Sequence, residues 1–321
     1  MNKTYNLFIT TMISGTMITM FSNNWLGMWM GMELNMMSFM PIINMKPNKS
    51  SPESSLIYFM IQVMGSSIML MSVMLYMMNK SPQLLNMMLT TSLLIKTGAA
   101  PFHLWLPKIM SSMPWSSNII LMTWQKIIPL HLINLIEMNN VIEMSIIMSV
   151  ILGSLGGLYQ VSLRKMMSYS SISHLGWMMS LNKTKDTWVL YLILYSTMTV
   201  ILCKYLDTNN LIYINQLFNM KLTTLQKMNF TVMMLSMGGM PPLLGFLPKW
   251  LVIEEMMLDK SLITIMIMIM FSMLTLFFYL HIMMKLLMNY ASSNKWSSFQ
   301  LNYSNMMFFM NLMLPMIIMI Y

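Results

Sequence analysis

The sequence predicts an all-α polytopic membrane protein of about eleven transmembrane helices, with broken fourth and ninth helices. Three observations predict this class. Hydrophobic residues make up 57% of the 321 residues and charged residues 8%, which is about a third of the charged share of a soluble domain. Nearly every window of about 20 residues is apolar enough to span a bilayer. Glycine and proline cluster at two distant points inside otherwise apolar runs.

Clusters of Gly, Pro, Ser and Asn-Lys separate the apolar runs and set the predicted ends of the helices. In chain order the predicted spans are 4–21, 24–45, 52–78, 82–111, 115–137, 141–159, 164–181, 187–206, 222–257, 262–288 and 303–320. The first span follows a lysine as a signal peptide would, but no small-residue cleavage site follows it, so we expect it to be the first helix. The loops are short, which predicts a single membrane domain over residues 1–321.

The fourth and ninth spans are unusually long, and both are interrupted in the same way. Their broken-helix residues are Gly98 and Pro101 in the fourth span and Gly238, Gly239, Pro241, Pro242 and Pro248 in the ninth, while Pro129 interrupts the fifth span. Paired broken helices at matching places in two halves are typical of inverted-repeat transporters. The spacing predicts two inverted five-helix repeats, about 4–137 and about 141–288, plus one C-terminal helix at about 303–320.

The net charge of +9 comes from basic residues scattered singly through the loops. This pattern is typical of positive-inside bias and predicts no nucleic-acid partner. On the N-terminal side we place Lys3, Lys46, Lys49, Lys108, Arg164, Lys165, Lys204, Lys221, Lys227, Lys285 and Lys295, and on the other side Lys80, Lys183, Lys185 and Lys260. The N-terminus is therefore expected in the positive-inside compartment.

Charged side chains inside predicted spans are costly and usually functional. Glu33, Lys96, Lys126 and Lys249 are such residues. Each lysine lies near a proline, which leaves a backbone carbonyl without its helical partner. Broken backbone is tolerated in a membrane where it lines a watered cavity, so we predict a hydrated proton route. The alternatives are an ion pair that fixes packing for Glu33 and an interfacial anchor for Lys249 beside Trp250.

His174 follows Ser170 and Ser171 by one turn on the same helical face. This stripe predicts a chain of water molecules beside His174, whose imidazole can titrate near neutrality. The alternative is that His174 only makes a structural hydrogen bond. The histidines His103, His131 and His281 are weaker candidates. The 52 methionines recur without fixed spacing, which favours apolar filler over copper ligands. No nucleotide or metal motif occurs, so the chain is predicted to carry ions and to bind no cofactor.

Five motifs occur along the chain in the order "WMGMELN", "KTGAAPFHLWLP", "TWQKIIP", "LRKMMSYSSISHLGWM" and "GGMPPLLGFLPKWLVIEE". In this order they resemble the chain 2 family of mitochondrial NADH:ubiquinone oxidoreductase (complex I), of the invertebrate type. Any one of them would be a weak signal, whereas the ordered set covers nearly the whole chain. The methionine excess is similar to that of an AT-rich organellar gene in which an isoleucine codon is read as Met.

The resemblance implies an antiporter-like core subunit of the membrane arm, and it implies that fuller relatives carry additional N-terminal helices. Such a subunit translocates protons across the mitochondrial inner membrane, with the N-terminus on the matrix side and the C-terminus on the intermembrane-space side. It carries no redox chemistry itself. NADH, FMN, iron–sulfur clusters and ubiquinone are expected on other subunits. The expected partners are other membrane-arm subunits and phospholipids, with cardiolipin as one candidate.

The resemblance also implies a role for each intramembrane charge. Glu33 would pair with Lys96 and modulate its proton affinity, Lys126 would be the central relay, His174 would help to bridge the two halves, and Lys249 would end the chain near the exit side. Two other functions stay open on the residues alone. One is a stand-alone sodium or potassium antiporter, which should carry acidic ligands near its broken helices. The other is a structural spacer without proton flux, in which ion pairs hold each lysine.

Overall fold

The computed structural model describes residues 2–45, 50–78, 82–183, 187–219 and 224–288. The described chain is helical, apart from one isolated antiparallel β-bridge between Ser162 and Tyr213. Its α-helices are α1 (Asn2–Phe21), α2 (Trp25–Asn44), α3 (Ser51–Met77), α4 (Pro82–Thr97), α5 (Trp105–Ser112), α6 (Trp115–Met122), α7 (Ile127–Leu135), α8 (Asn140–Leu158), α9 (Leu163–Met179), α10 (Thr187–Thr208), α11 (Ile214–Asn219), α12 (Thr224–Gly238), α13 (Phe246–Leu258) and α14 (Leu262–Met288). Two short 3-10 helices, Trp124–Lys126 and Ser180–Lys183, complete the helical elements.

The first ten predicted spans coincide with these helices to within a few residues. The fourth span is broken into α4 and α5, and the ninth into α12 and α13, as the glycines and prolines predicted. The eleventh predicted span, 303–320, lies outside the described residues. By length and apolarity alone, the helices of the described chain that could cross a membrane are Ser51–Tyr76, Asn140–Leu158, Thr187–Thr208 and Leu262–Leu287. The other spans are broken into half-helices, shorter or less apolar.

Two features add detail that the prediction did not specify. The interruption of the fifth span is the 3-10 turn Trp124–Lys126, which separates α6 from α7. Pro129 is the third residue of α7, where the first turn tolerates a residue without an N–H, and the tighter 3-10 turn precedes it. The short helix α11 was not predicted. It is too brief to show hydrophobic periodicity, and the Gln216 side chain anchors its start by accepting the Ile212 and Tyr213 N–H groups.

The two broken helices end on the same hydrogen-bonding motif. After α4, Gly98 has φ +71°, its N–H bonds to the Ile95 carbonyl, and the Ala99 N–H bonds back to Leu94. After α12, Gly239 has φ +81°, with the equivalent bonds from Gly239 to Ser236 and from Met240 to Leu235. This is a Schellman cap with glycine in the left-handed region. The glycines therefore end the helices, and the prolines lie just beyond.

Small residues set the distance between neighbouring helices. A Cβ atom at Gly31 of α2 would lie 2.7 Å from the Gly15 carbonyl of α1, and one at Gly153 of α8 would lie 2.6 Å from the Ser173 N–H of α9. Helices in lipid associate largely through close van der Waals packing, which small residues permit. The close α8–α9 approach positions His174, which lies beside Ser173, in the middle of the bundle.

Candidate functional site

Lys96 lies in the last turn of α4 and is only 7% exposed. Its Nζ lies 3.8 Å from Met32 Sδ, and its backbone carbonyl accepts a hydrogen bond from Gln62 Nε2 at 3.3 Å. Glu33 is near enough to interact electrostatically with the ammonium group, but the direct contact is to Met32. Successive residues on a helix point about 100° apart, so the helix face that presents Met32 to Lys96 turns Glu33 aside. Glu33 and Lys96 therefore interact electrostatically without forming a direct salt bridge.

Lys96 and Lys126 line the same internal cavity. The volume of this cavity is about 30 Å³, which is enough for at least one water molecule. The polar residues that line it besides the two lysines are Asn35, Tyr58, Gln62, Thr97 and Gln125. Tyr58 donates to Gln125 Oε1 at 3.3 Å, and Gln125 Nε2 donates to Asn35 Oδ1 at 3.1 Å. The first two lysines of the predicted route therefore face one polar space.

Lys126 lies in the 3-10 turn and is 3% exposed. Its Nζ donates to the Ser171 carbonyl of α9 at 3.1 Å and lies 4.8 Å from the centre of the Tyr195 ring. The side chain reaches across to α9, where the Ser171 carbonyl accepts with its second lone pair.

His174 connects the Lys126 region with the Lys249 region. Its Nδ1 lies 2.9 Å from the Tyr191 hydroxyl, and its ring centre lies 4.9 Å from that of Tyr195. The ring also lies near the Met237 backbone and interacts electrostatically with both lysines. The Ser170 and Ser171 hydroxyls of the predicted stripe donate to the backbone of their own helix. The direct contacts of the histidine are with the two tyrosines of α10.

Lys249 lies in α13 and is 6% exposed. Its Nζ donates to the Gly238 carbonyl at 2.8 Å and lies 5.8 Å from the centre of the Trp177 ring. Pro241 and Pro242 were expected to leave the Met237 and Gly238 carbonyls without helical partners. His174 lies near the first of these groups, and Lys249 donates a hydrogen bond to the second.

The interfacial-anchor alternative for Lys249 does not fit this geometry. The lysine is buried beside the broken helix, whereas its neighbour Trp250 is 41% exposed. A snorkelling lysine would extend its ammonium group to water instead. Pro248 is the third residue of α13, in the first turn, where helices tolerate proline.

Several site residues escaped the sequence analysis, namely Tyr58, Gln62, Gln125, Tyr191 and Tyr195. Gln62 was detectable as a polar residue in the middle of an apolar span, and Tyr191 and Tyr195 as two tyrosines one turn apart on α10. The buried Trp105 and Trp124 Nε1 groups have no hydrogen-bond partner among the described residues. Buried groups of this kind mark positions where water binds.

The described residues contain no group of three or more His, Cys, Asp and Glu side chains able to hold a metal ion. The polar groups that converge in the bundle are lysine ammonium groups, one imidazole, amides and phenols. Their chemistry is that of proton donors and acceptors joined by short contacts. Such a set can bind water and transfer protons along it.

The chain is similar to known proteins over most of its length. Residues 22–277 match the family described as "NADH:quinone oxidoreductase/Mrp antiporter, TM". NADH-ubiquinone oxidoreductase chain 2 of Anopheles gambiae is 41% identical over 300 residues, covering 91% of this chain and 88% of that protein. The same chain of Locusta migratoria is 39% identical over 300 residues, covering 90% and 87%.

Among solved structures, a chain of respiratory complex I from Thermus thermophilus with bound aureothin superimposes with a TM-score of 0.84. The sequence identity is 19%, and the match covers 98% of this chain and 79% of that one. This likeness shows the fold, while the sequence matches show the relationship. The chain therefore belongs to the NADH:quinone oxidoreductase/Mrp antiporter membrane family, in its NADH–ubiquinone oxidoreductase chain 2 branch.

Proposed function

We propose that this chain is a proton-translocating, non-redox core subunit of the membrane arm of NADH:ubiquinone oxidoreductase. It moves protons along the series Glu33, Lys96, Lys126, His174 and Lys249, driven by electron transfer on other subunits, which carry NADH, FMN, iron–sulfur clusters and ubiquinone. The membership of the chain 2 branch supports the assignment to the complex. The geometry of the buried charges supports the route.

One observation carries the route: the buried cations and His174 form a continuous series of neighbours. Lys96 and Lys126 share a polar cavity, and His174 interacts electrostatically with both Lys126 and Lys249. The direct partners of the three ammonium groups are a thioether, two backbone carbonyls and two aromatic rings. Since no hydrogen-bonded carboxylate holds these protons in the described contacts, each ammonium group is free to exchange its proton with water.

This arrangement favours proton transfer over the two alternatives. A structural spacer was expected to hold each lysine in an ion pair, and the direct contacts above are to neutral groups. A stand-alone cation antiporter was expected to carry acidic ligands at its broken helices. The groups that meet at the second break are Lys249, His174 and backbone carbonyls. The high identity to chain 2 sequences adds to this argument.

We further propose two inverted five-helix repeats, α1–α7 and α8–α14, followed by the C-terminal span at 303–320. The shared Schellman caps after α4 and α12 support equivalent positions for the two broken helices. In this arrangement the N-terminus faces the matrix and the C-terminus faces the intermembrane space of the mitochondrial inner membrane, as the basic residues of the loops favour. Other membrane-arm subunits and phospholipids surround the chain.

The test is a neutral substitution of Lys126 in the assembled complex. In a genetically tractable bacterial relative, the residue aligned with Lys126 is replaced by methionine, which keeps the approximate length and removes the charge. We expect NADH oxidation to continue and protons pumped per NADH to fall, because general acid–base groups in proton transfer contribute about 10²–10⁴-fold in rate. Proton uptake or release by sealed vesicles gives the ratio.

The matched control is the position aligned with Lys204, an exposed lysine of α10. Replacing it with methionine removes the same charge from the surface and should leave the ratio unchanged. Blue native electrophoresis establishes that both variants assemble. An assembled Lys126→Met complex that pumps normally would contradict the route and favour the spacer function.

A further inference from the structure

A groove of about 470 Å³ opens on the surface where α8 and α14 both end. The turn after α8, the start of α11 and Met166 of α9 complete it. Its lining residues are different from those of the cavity between Lys96 and Lys126. The groove is therefore a separate site that the proton route does not use.

The groove has an apolar wall and a polar, basic rim. Phe277, Phe278 and Leu158 belong to the wall, and Phe277 is 59% exposed. His281 and Lys285 belong to the rim, one helical turn apart and both exposed. Gln160 and Asn215 add amide groups, and the described residues that line the groove include no Asp or Glu. Among these residues the rim therefore offers a cation and hydrogen-bond donors without a carboxylate beside them.

The floor of the groove is fixed by backbone contacts. Ser162 and Tyr213 form the β-bridge, with the Leu163 N–H bonded to the Ile212 carbonyl at 2.9 Å. The Ile214 N–H bonds to the Val161 carbonyl at 3.1 Å on the other side of the bridge. Because these hydrogen bonds hold the turn after α8 against the start of α11, the groove is a preformed concave site.

An apolar stripe leads away from the groove along α14. Its members recur at helical spacing and are more than half exposed: Ile263, Met266, Met270, Met273 and Phe277. Lys285 stands in the last turn of the same helix, at the end where membrane helices meet the lipid headgroups. The surface therefore joins a basic end at headgroup depth to an apolar track at the depth of the acyl chains.

We propose that this groove binds one anionic phospholipid, with its phosphate held by Lys285 and His281 and an acyl chain lying along Phe277 and the α14 stripe. Charge complementarity selects the anionic headgroup, since a basic rim without acids attracts anionic lipid by about 1 kcal/mol per basic residue. This proposal requires only that the chain lies in a membrane, and it does not depend on the proton route. A normal pumping ratio in the Lys126→Met variant would therefore not affect it.

The experiment uses the full chain synthesised without cells into phosphatidylcholine vesicles. One sample contains phosphatidylglycerol with a photoreactive diazirine in its acyl chain, and the other contains phosphatidylcholine with the same acyl chain. After illumination, cyanogen bromide cleaves at methionine, and mass spectrometry quantifies the label on the peptide between Met273 and Met283, which contains Phe277 and His281. The variants are Lys285→Gln, Lys285→Arg and, as the matched control, Lys204→Gln.

We expect the phosphatidylglycerol probe to label this peptide more than the phosphatidylcholine probe. Labelling should fall about five-fold in Lys285→Gln, the change that corresponds to about 1 kcal/mol, and stay near wild type in Lys285→Arg and Lys204→Gln. Equal labelling by both probes, or no effect of Lys285→Gln, would reduce the groove to ordinary lipid contact and overturn the proposal.

Two further results would also overturn it by assigning the groove to a protein segment. If the peptide stays unlabelled while the exposed start of α14 is labelled, residues 289–321 of the chain cover the groove. If the wild-type complex purified from its native membrane shows the label on a neighbouring subunit instead, that subunit occupies it.

Discussion

At the scale of single residues, the direct contacts of the three buried lysines are with uncharged groups. The Lys126 ammonium has one carbonyl acceptor at 3.1 Å and the Tyr195 ring at 4.8 Å. A cation over an aromatic face gains about 2 kcal/mol or more when it is desolvated. Tyr195 also packs on His174, so one ring contacts two members of the route.

Tyr195 should therefore matter through its ring more than through its hydroxyl. We expect the Tyr195→Phe equivalent in the bacterial relative to pump nearly as well as wild type, because phenylalanine keeps the aromatic face. Tyr195→Leu should lower protons pumped per NADH, since it removes the favourable cation–ring contact. The measurement is the pumping ratio in vesicles. Equal loss in both variants would point to the hydroxyl instead.

At the scale of elements, the breaks in α4–α5 and α12–α13 are built from capped helix ends. A glycine in the left-handed region closes each first half-helix with hydrogen bonds. In the second break, the last two carbonyls before that glycine stay available: Lys249 donates to the Gly238 carbonyl, and His174 lies near the Met237 carbonyl. The break thus costs little backbone hydrogen bonding and creates an acceptor pair inside the membrane.

Adjacent glycines at the second break should respond differently to alanine. Gly239→Ala should destabilise the fold by about 1–2 kcal/mol, the cost of a left-handed L-residue. It should also impair pumping, because the new Cβ would lie 2.8 Å from Lys249 Nζ. Thermal unfolding of the assembled complex and the pumping ratio check both effects.

Gly238→Ala is the matched control. Gly238 is helical, and its added Cβ would meet Leu276 at an ordinary 3.4 Å. Alanine is the better helix former, so this variant should be neutral or slightly stabilising. If Gly239→Ala behaved in the same way, the left-handed cap would not be needed.

At the scale of the whole molecule, the order of the charged groups predicts a single path in which each proton passes every group in turn. Lys96 and Lys126 line one cavity, and His174 interacts electrostatically with both Lys126 and Lys249. In a series, losing a second member adds little to the loss of the first. Parallel paths would instead show additive losses.

The series arrangement is testable with double variants. We expect the Lys96→Met, Lys126→Met double variant of the bacterial relative to pump as poorly as the worse single variant, and no worse. The same holds for Lys126→Met with Lys249→Met. The ratio of protons pumped to NADH oxidised decides between the two schemes. It is measured for the three single and two double variants in vesicles prepared in the same way. Losses that sum across the singles would contradict the series.

The sequence predicted the helices and the burial of Lys96, Lys126 and Lys249 well, because both depend on local patterns. Apolar length marks a span, and a lysine inside a span stands out by its cost. The partners of those lysines depend on packing between distant elements. Met32 rather than Glu33 touches Lys96, and the Ser171 carbonyl rather than that of Gln125 receives Lys126. No local rule specifies which neighbouring helix presents a free lone pair.

The 3-10 turn and the tyrosines of α10 show the same limit. Proline predicted a disturbance near Pro129, but the conformation that absorbs it follows from the packing around Lys126. Tyr191 and Tyr195 are common residues for an apolar helix, and only the position of His174 gives them a role. Tertiary neighbours assign such roles, so a single sequence does not.

The hydrogen bond from Lys126 to Ser171 has a mechanical consequence. It joins a side chain of α1–α7 to the backbone of α8–α14, and at 3.1 Å it is near the upper end of the usual hydrogen-bond range. A shear between these two groups of helices would lengthen and weaken this bond, while the Tyr195 ring would still face the ammonium group. We therefore expect such sliding to change the electrostatic field at the Lys126 ammonium group.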